Sequence, residues 1–347
     1  MQYSFFDKPK RLAKITSLGD TLEQLNAVVN WYIFAPVLDE AIPRVKSEKG
    51  GRPPYENLLM FKILIIKRLY NLSHDQTEFQ INDRLSFMRF LGMDLGSTVP
   101  DAKTIWDYED MLSKSAVGKD LFDKFFGELR KRGYITREGS IVDATFIEAP
   151  KRKNTKEQRE MLKDGEIPEE WADEEHPQKL MQRDTDSTWT KKGQETHFGQ
   201  KDVVKVDADS KIIVDFEVVT AAANDAKGAE DLFDETDKVA YGDSAFAHMD
   251  LPDGIEDQIC EKAERGHPLT EEQKLENHRK AKIRCRAEHI FAGMAQMCGG
   301  TNIRCKNQSR AVFNISMLNL VYNMRRVLSL ENPTDNWVKR KRRLAMG

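Results

Sequence analysis

The chain has 347 residues, of which 54 are lysine or arginine and 57 are aspartate or glutamate. This length suits about two domains with cores of their own, and a charged content of 32% with a mean hydropathy of −0.62 indicates a very polar surface. The longest apolar stretch, 58–66, is interrupted by Lys62 and falls far short of the about 18 apolar residues of a membrane helix. Four cysteines without a C-x-x-C pair do not make a disulfide framework, and we expect a cytoplasmic location.

Charge is distributed unevenly along the chain. Residues 277–347 carry fifteen lysines and arginines against three acids, a net charge of +12, which leaves −15 for residues 1–276. Residues 157–186 have the opposite bias, with eleven acids and four bases. The basic end favours a polyanionic partner, because lysine and arginine release the counterions that condense on phosphates. A solvated basic face is the alternative interpretation.

The N-terminal part of the chain has the periodicity of helices. Residues 57–70 place apolar side chains at helical spacing after a stretch rich in glycine and proline. Ser73 and Gln76 form a capping-box pattern, and a further helix is predicted over 101–112. We therefore predict an all-helical DNA-binding or dimerisation region over 1–135. The helix over 101–112 carries more acids than bases, which favours a structural or dimerisation role for it over phosphate binding.

Period-two patterning begins at Ser140 and places Asp143 in the middle of a strand. The acidic stretch 151–192 interrupts the core that follows, and we make no prediction of its structure. We predict an α+β or α/β core over 136–300, a mixed sheet flanked by helices, and then a C-terminal helix and basic tail over 301–347. Within the core the pattern predicts a hairpin with strands at 203–206 and 212–219, a helix at 224–236, a short buried strand at 239–243 and a long helix at 270–297.

Three carboxylates of this region are candidate metal ligands. Asp143 and Asp243 are predicted on neighbouring buried strands, where paired carboxylates are costly unless a divalent cation neutralises them. Glu288 flanks the apolar stripe of the long helix, one turn after Arg284. Three such carboxylates can hold two cations about 4 Å apart. The alternatives are helix capping by the two aspartates and a solvent-facing ion pair between Arg284 and Glu288.

Several spaced motifs resemble those of the DDE transposases of bacterial insertion sequences. Within these enzymes, the chain is most similar to the group called insertion sequence five, part of the broader insertion sequence four-like superfamily. The resemblance covers about residues 50 to 295, and its motifs occur in the same order. They are GRPPY at 51–55, LYNLS at 69–73, DRLSFMRFLG at 83–92, VPD at 99–101, SIVDATFIEAP at 140–150, GQK at 199–201, VTA at 219–221, ND at 224–225 and YGDSAF at 241–246.

This resemblance implies an RNase H-like core and assigns roles to the three carboxylates. Asp143, Asp243 and Glu288 would be the catalytic residues, holding two Mg²⁺ or Mn²⁺ ions in each active site. Arg284 matches the arginine of the group's Tyr-Arg-Glu-Lys signature. The lysine position of that signature is Ala295 here, so the DNA contacts made by that lysine must come from elsewhere.

The expected DNA-binding residues follow from the same resemblance and from charge. They include Arg284, Lys201 of the Gly-x-Lys motif, and Arg304 and Lys306 after the long helix. We also expect a mobile basic tail to contact phosphates without reading sequence. Its bases are Lys339, Arg340, Lys341, Arg342 and Arg343.

The implied activity is cleavage of DNA at the ends of a mobile element and joining of the freed 3′-hydroxyl to target DNA. Two element ends must be held together, so the resemblance implies a homodimer on DNA and no membrane partner. A catalytically silent DNA-binding derivative and a metal-dependent nuclease that cuts without joining are the alternatives. A zinc site is less favoured, because its ligands Cys285, His289, Cys298 and Cys305 are irregularly spaced.

Overall fold

The computed structural model describes residues 7–44, 53–151, 154–171, 180, 183–247, 249–297 and 300–331. Contacts divide the chain into a helical unit, Met1–Arg132 with Gln296–Gly299 and Ser316–Gly347, and a sheet unit, Gly133–Ala295 with Gly300–Ile315. The segment 301–347, predicted as a separate C-terminal part, is thus shared between the two units. The five tail bases at 339–343 lie outside the described residues.

The helices begin where the sequence offers capping groups. The Ser73 hydroxyl accepts a hydrogen bond from the Gln76 N–H and the Gln76 side chain accepts one from the Ser73 N–H, which confirms the capping box. Asp101 Oδ1 accepts from the Thr104 N–H at 2.7 Å and starts the helix predicted there. The helices are α1 (Asp7–Ser17), α2 (Thr21–Val28), α3 (Ala35–Ala41), α4 (Asn57–Leu69), α5 (His74–Asp83), α6 (Leu85–Leu91), α7 (Ala102–Lys114), α8 (Gly118–Lys131), α9 (Lys156–Lys163), α10 (Glu271–Met297) and α11 (Gln308–Glu331).

The helical unit is held by an aromatic core and by one buried ionic cluster. Fully buried phenylalanines fill the space between its helices, with Phe34 and Phe61 4.9 Å apart at their ring centroids. Beside them the Glu109 carboxylate of α7 meets Lys67 Nζ of α4 at 2.9 Å and His74 Nε2 of α5 at 2.6 Å. Burial opposes ionisation of Glu109, but the two bases outweigh it and lower the pKa of Glu109 to about 2. One carboxylate therefore ties three helices together.

The sheet unit is built on a six-stranded mixed sheet. Its strands stand in the order β2-β3-β1-β5-β6, and β4 pairs with β3 as well. β1 is antiparallel to β3 and parallel to β5, and β5 is parallel to β6. The architecture is thus a mixed α+β fold with an N-terminal helical region. The strands are β1 (Ser140–Glu148), β2 (Thr188–Lys192), β3 (Glu195–Asp207), β4 (Ile213–Thr220), β5 (Val239–Gly242) and β6 (Glu256–Ile259).

The two faces of this sheet bury different partners. Val142 and Val203 pack with Phe246 in a cluster on one face. Ile141, on the opposite face of β1, packs with Ala287 of α10, which therefore covers that side of the strand. Because Asp143 follows Ile141 by two residues, it lies on the face that α10 covers.

The hairpin predicted at 203–219 is confirmed, whereas the helix predicted over 224–236 is wrong. The Asp207 carboxylate turns the hairpin by accepting hydrogen bonds from the Ser210 N–H and hydroxyl. After β4 the chain forms turns and a short 3₁₀ helix, Glu230–Leu232. A β-carbon at Gly228 would lie 3.2 Å from side-chain carbons of both Val203 and Val219, so the backbone itself packs on the sheet there.

The acidic stretch 151–192 contributes α9, a 3₁₀ turn and the edge strand β2 among its described residues. The Trp171 ring is 3% exposed and lies 4.6 Å from the Arg183 guanidinium, so it anchors a local cluster. Asp186 Oδ2 accepts a hydrogen bond from the Gln308 N–H and caps α11. In the described part of the chain, no helix is long and apolar enough to cross a membrane.

Replacing Glu109 by glutamine is expected to lower the free energy of unfolding by about 2 to 4 kcal/mol at pH 7, because Lys67 and His74 lose a buried anionic partner. Unfolding in denaturant, followed by circular dichroism, measures this loss. The control is Asp107→Asn on the same helix, which breaks an exposed pair with Lys103 and should change stability by less than about 1 kcal/mol. Equal effects of the two substitutions would contradict the role of the cluster.

Candidate active site

The pairing of β1 with β5 brings the two predicted aspartates level with each other. Their parallel register aligns Ser140 with Ala240 and Ile141 with Tyr241. Asp143 follows Ile141 by two residues and Asp243 follows Tyr241 by two residues, so the same register places the two aspartates opposite each other. The Asp243 carboxylate, directly after β5, is fixed by the Ala245 N–H, which donates to its Oδ1 at 2.8 Å. Two acidic side chains far apart in sequence thus meet at the carboxyl end of β5.

The environment of Asp143 opposes its negative charge. The pKa of Asp143 is raised to about 6: burial, the largest cause, and the neighbouring Asp243 carboxylate raise it, while the Ala144 N–H, Arg284 and Lys192 lower it. The Asp143 side chain is 13% exposed. A cation bound between two carboxylates in such a place would offset their mutual repulsion and stabilise their ionised forms.

Helix α10 brings Arg284 and Glu288 to the same place. Because Ala287 and Ile283 face Ile141 across the sheet surface, the flanking positions of the helix lie beside Asp143. Arg284 Nη1 is 3.8 Å from Asp143 Oδ2, and Arg284 Nη2 is 2.8 Å from Glu288 Oε1. The guanidinium therefore stands between two of the predicted ligands.

Arg284 contacts carboxylates on two elements. It forms the ion pair with Glu288 that a surface pair would have, but its side chain is only 23% exposed and also contacts Asp143 of the sheet. Glu288 itself is 58% exposed. The contact with Asp143 distinguishes this arginine from one paired only on its own helix.

The carboxylates fit a hard divalent cation by chemistry, although their side chains are not arranged as a closed ligand set. Among the described residues, no three histidine, cysteine or acidic side chains come together closely enough to hold one metal ion. Asp143 and Asp243 converge, whereas Glu288 lies across the Arg284 guanidinium from Asp143. Carboxylate oxygens are the ligands that Mg²⁺ and Mn²⁺ prefer. The two aspartates would hold such an ion, with Glu288 as the third acidic residue, on the other side of Arg284.

Sequence reasoning missed the group that secures the strand pairing beneath the site. Asp237, just before β5, accepts a hydrogen bond from the Ser140 hydroxyl at 2.5 Å and one from Lys205 Nζ at 3.0 Å. Both Lys205 and Asp237 are more than nine-tenths buried. The network joins β3, the start of β1 and the start of β5. The only signal in the sequence is a lysine amid the apolar residues of β3.

Lys201, which we predicted to contact DNA, is buried and bonded within the fold; its contact with DNA stays a prediction. Its ammonium group donates to Asp225 Oδ1 and to the Ala223 carbonyl, each at 2.6 Å, and the residue is 8% exposed. The lysine thus joins two of the family-like motifs inside the fold. The glycine of its motif is also structural, because a β-carbon on Gly199, whose φ is +148°, would lie 2.1 Å from the Ile147 carbonyl oxygen.

The other predicted DNA contacts remain predictions. Arg304 is exposed and Lys306 is half-buried, in a segment that joins the end of β1 where the Ile303 N–H donates to the Glu148 carbonyl at 3.0 Å. Lys192, at the end of β2, was not predicted, yet its charge acts on Asp143. An exposed base close to the carboxylates is visible only once β2 is placed.

The alternative zinc site gains no support among the described residues. The Cys285 thiol donates to the Lys282 carbonyl at 3.2 Å, and the His289 Nδ1 accepts a hydrogen bond from Lys211 Nζ at 2.9 Å. Cys298 lies outside the described residues.

Comparison with known proteins gives two family matches. The family described as Transposase domain (DUF772) matches residues 10–110, and the family described as Transposase DDE domain matches residues 135–324. The second match contains Asp143, Asp243, Arg284 and Glu288. No solved structure matches the chain.

The raised pKa of Asp143 predicts that Asp143→Asn stabilises the metal-free protein at pH 8, by about 1 to 3 kcal/mol, since a shift of one pKa unit is worth about 1.4 kcal/mol. The folded-state pKa lies above the unfolded value, so ionisation costs the folded state most above pH 6, and the gain should shrink towards zero at pH 4. Denaturant titrations in EDTA at both pH values measure it. The exposed Asp253→Asn is the control, and a gain that is the same at both pH values would contradict the account.

Proposed function

This chain belongs to the transposase DDE domain family, and from that premise we propose that it cleaves DNA at the ends of its insertion sequence and joins the 3′-hydroxyl to target DNA. One observation carries the proposal: Asp143 and Asp243 converge on adjacent strands, and Arg284 links Asp143 to Glu288. These are the acidic residues that a DDE site requires.

The proposed reaction exchanges one phosphodiester bond for another, so it needs no nucleotide energy source. A bound divalent cation, Mg²⁺ or Mn²⁺, supplies activation of the attacking oxygen and stabilisation of the leaving oxygen, and two ions per site suit the three carboxylates. Asp143 and Asp243 would hold this charge in place, and the burial of Asp143 keeps its surroundings poor in water.

Arg284 orients Glu288 and offers its planar guanidinium to a DNA phosphate. A guanidinium suits this task because it forms two parallel hydrogen bonds and keeps its charge. In the structure its two terminal nitrogens already point to different carboxylates.

We extend the proposal to the finer features that the resemblance implies. We propose that the chain belongs to the insertion sequence five group and that its core is RNase H-like. Its proposed DNA partners are the terminal inverted repeats of the element and a target duplex. Two element ends must be handled together, so we propose a homodimer on DNA. Arg304, Lys306 and the tail bases at 339–343 remain proposed phosphate contacts.

Neutral, nearly isosteric replacement of the ligands tests the proposal. Asp143→Asn, Asp243→Asn and Glu288→Gln should each lower Mn²⁺-dependent strand joining by at least about 100-fold, since each removes a charged metal ligand at constant volume. The assay uses duplexes copied from inverted repeats in the DNA that flanks the gene, and duplex binding should persist.

Glu276→Gln, on an exposed part of the same helix, and Asp253→Asn are the matched controls and should keep full activity. Joining within tenfold of wild type would remove a residue from the triad. Cleavage without joining in the unaltered protein would identify a nuclease, and binding without either activity would identify a silent derivative.

The Arg284→Lys variant should keep its folded stability but lose at least about tenfold in strand joining, because a lysine ammonium cannot hold two partners with one planar group. Arg279→Lys is the control, since Arg279 lies on the surface of the same helix and pairs there with Glu276. Rates are compared at saturating Mn²⁺, so that weaker metal binding does not account for the loss. Full activity of Arg284→Lys would assign the arginine to a surface ion pair only.

A further inference from the structure

A basic groove lies on the helical unit, far along the sequence from the carboxylates. It has a volume of about 570 Å³. Four of its six lining residues are bases of α1 and the other two are leucines, and together they define what we call the α1 groove: Lys8, Lys10, Arg11, Lys14, Leu85 and Leu95. Among the described residues, no acidic side chain lines it. The groove was not recognisable from the sequence, where α1 contributes only four bases in a chain rich in charge.

Helix α1 is fixed so that these bases face outward. Arg89 of α6 donates to the Thr16 hydroxyl at 2.8 Å and pairs with Asp20 at 2.5 Å, which holds the end of α1. At the other end Lys8 pairs with Asp94 at 2.8 Å. The half-buried Leu12 belongs to the inward side of the helix. The orientation of α1 is therefore set by contacts that leave the remaining bases outside.

Three of the four bases form no ion pair with any side chain that the structure describes. The side chains of Lys10, Arg11 and Lys14 are exposed and form no ion pair there. They are spaced three and four residues apart, so Lys10 and Arg11 each lie about one helical turn from Lys14. The partner of Lys8, Asp94, is itself 87% exposed, and such a pair is weak enough to be exchanged for another anion.

We propose that the α1 groove is a docking surface for the sugar–phosphate backbone of duplex DNA. An unpaired row of bases along a helix is complementary to a row of phosphates, and each contact gains from release of a counterion. Leu95, 67% exposed beside the bases, gives the surface an apolar edge suited to deoxyribose. The identification of the polyanion as DNA rests on the proposed function. It adds a place of contact that neither the carboxylate site nor the basic tail provides.

Contacts of this kind position DNA without reading its sequence, because they reach only phosphates. The triple variant Lys10→Gln, Arg11→Gln and Lys14→Gln removes the three unpaired charges and keeps good helix formers. Each lost phosphate contact lowers the slope of log K against log salt by about 0.9, so the slope should flatten by about 2 to 3. Affinity for a random-sequence duplex should fall at least about tenfold in low salt.

Fluorescence anisotropy of one labelled random duplex, titrated with the full chain at several salt concentrations, measures both quantities. The matched control removes three exposed bases of α8, with Lys124→Gln, Arg130→Gln and Lys131→Gln, and should leave the slope unchanged. Thermal unfolding checks that both variants fold. An unchanged slope for the α1 variant, or an equal loss in the α8 control, would overturn the proposal.

Vesicle binding and strand joining distinguish a DNA-docking groove from a membrane-binding one and from a failure of the proposed function. Loss of binding to anionic phosphatidylserine vesicles, with the DNA slope intact, would show that the groove serves a membrane surface and would overturn the DNA assignment. Strand joining is measured in parallel on the flanking repeats. If the unaltered protein joins no DNA but the slope still falls in the α1 variant, the proposed function fails and the α1 groove stands. If joining occurs and the slope does not change, only the α1 groove fails.

Discussion

The candidate site depends on one short strand pairing. β1 and β5 are aligned through two residue pairs, and that alignment alone places Asp143 opposite Asp243. A slip of one residue would turn one of the aspartates to the other face of the sheet. Below the pairing, Asp237 binds both Ser140 and Lys205, so the register is held by a buried ionic group as well as by the backbone. The chemistry above rests on this constraint.

Bringing these two carboxylates together in a largely buried place costs the folded protein free energy. Two carboxylates meet where burial raises the pKa of Asp143 to about 6, and the nearest charges that favour its ionised form are Arg284 and Lys192. A purely structural pair at this place would be better replaced by apolar residues. The Lys205–Asp237 pair differs, because each of its charges is matched inside the fold. The two aspartates therefore keep a net repulsion that Arg284 and Lys192 only partly offset, whereas the Lys205–Asp237 pair is neutral.

Local patterns in the sequence predicted individual helices and strands. They did not predict which residues from distant segments come into contact. Apolar periodicity predicted α4, the capping box predicted the start of α5, and alternation predicted β1 with Asp143 in mid-strand. The helix predicted over 224–236 failed because Gly228 packs its backbone on Val203 and Val219, a tertiary contact that propensity does not contain. The pairing of Lys201 with Asp225 was not predicted, because Asp225 reaches the lysine only after β4 has folded back. The register of β1 with β5 and the outward row of bases on α1 likewise depend on contacts between distant segments.

We propose that Asp143 and Asp243 share a divalent cation. Anomalous diffraction from a crystal of the full chain, bound to duplex DNA and soaked in Mn²⁺, tests it most directly. The account predicts an anomalous peak about 2.1 Å from oxygens of both Asp143 and Asp243, the distance of a small hard cation, with Glu288 turned towards it. A Mn²⁺ peak elsewhere on the protein, with the two aspartates still facing each other and no metal between them, would contradict it.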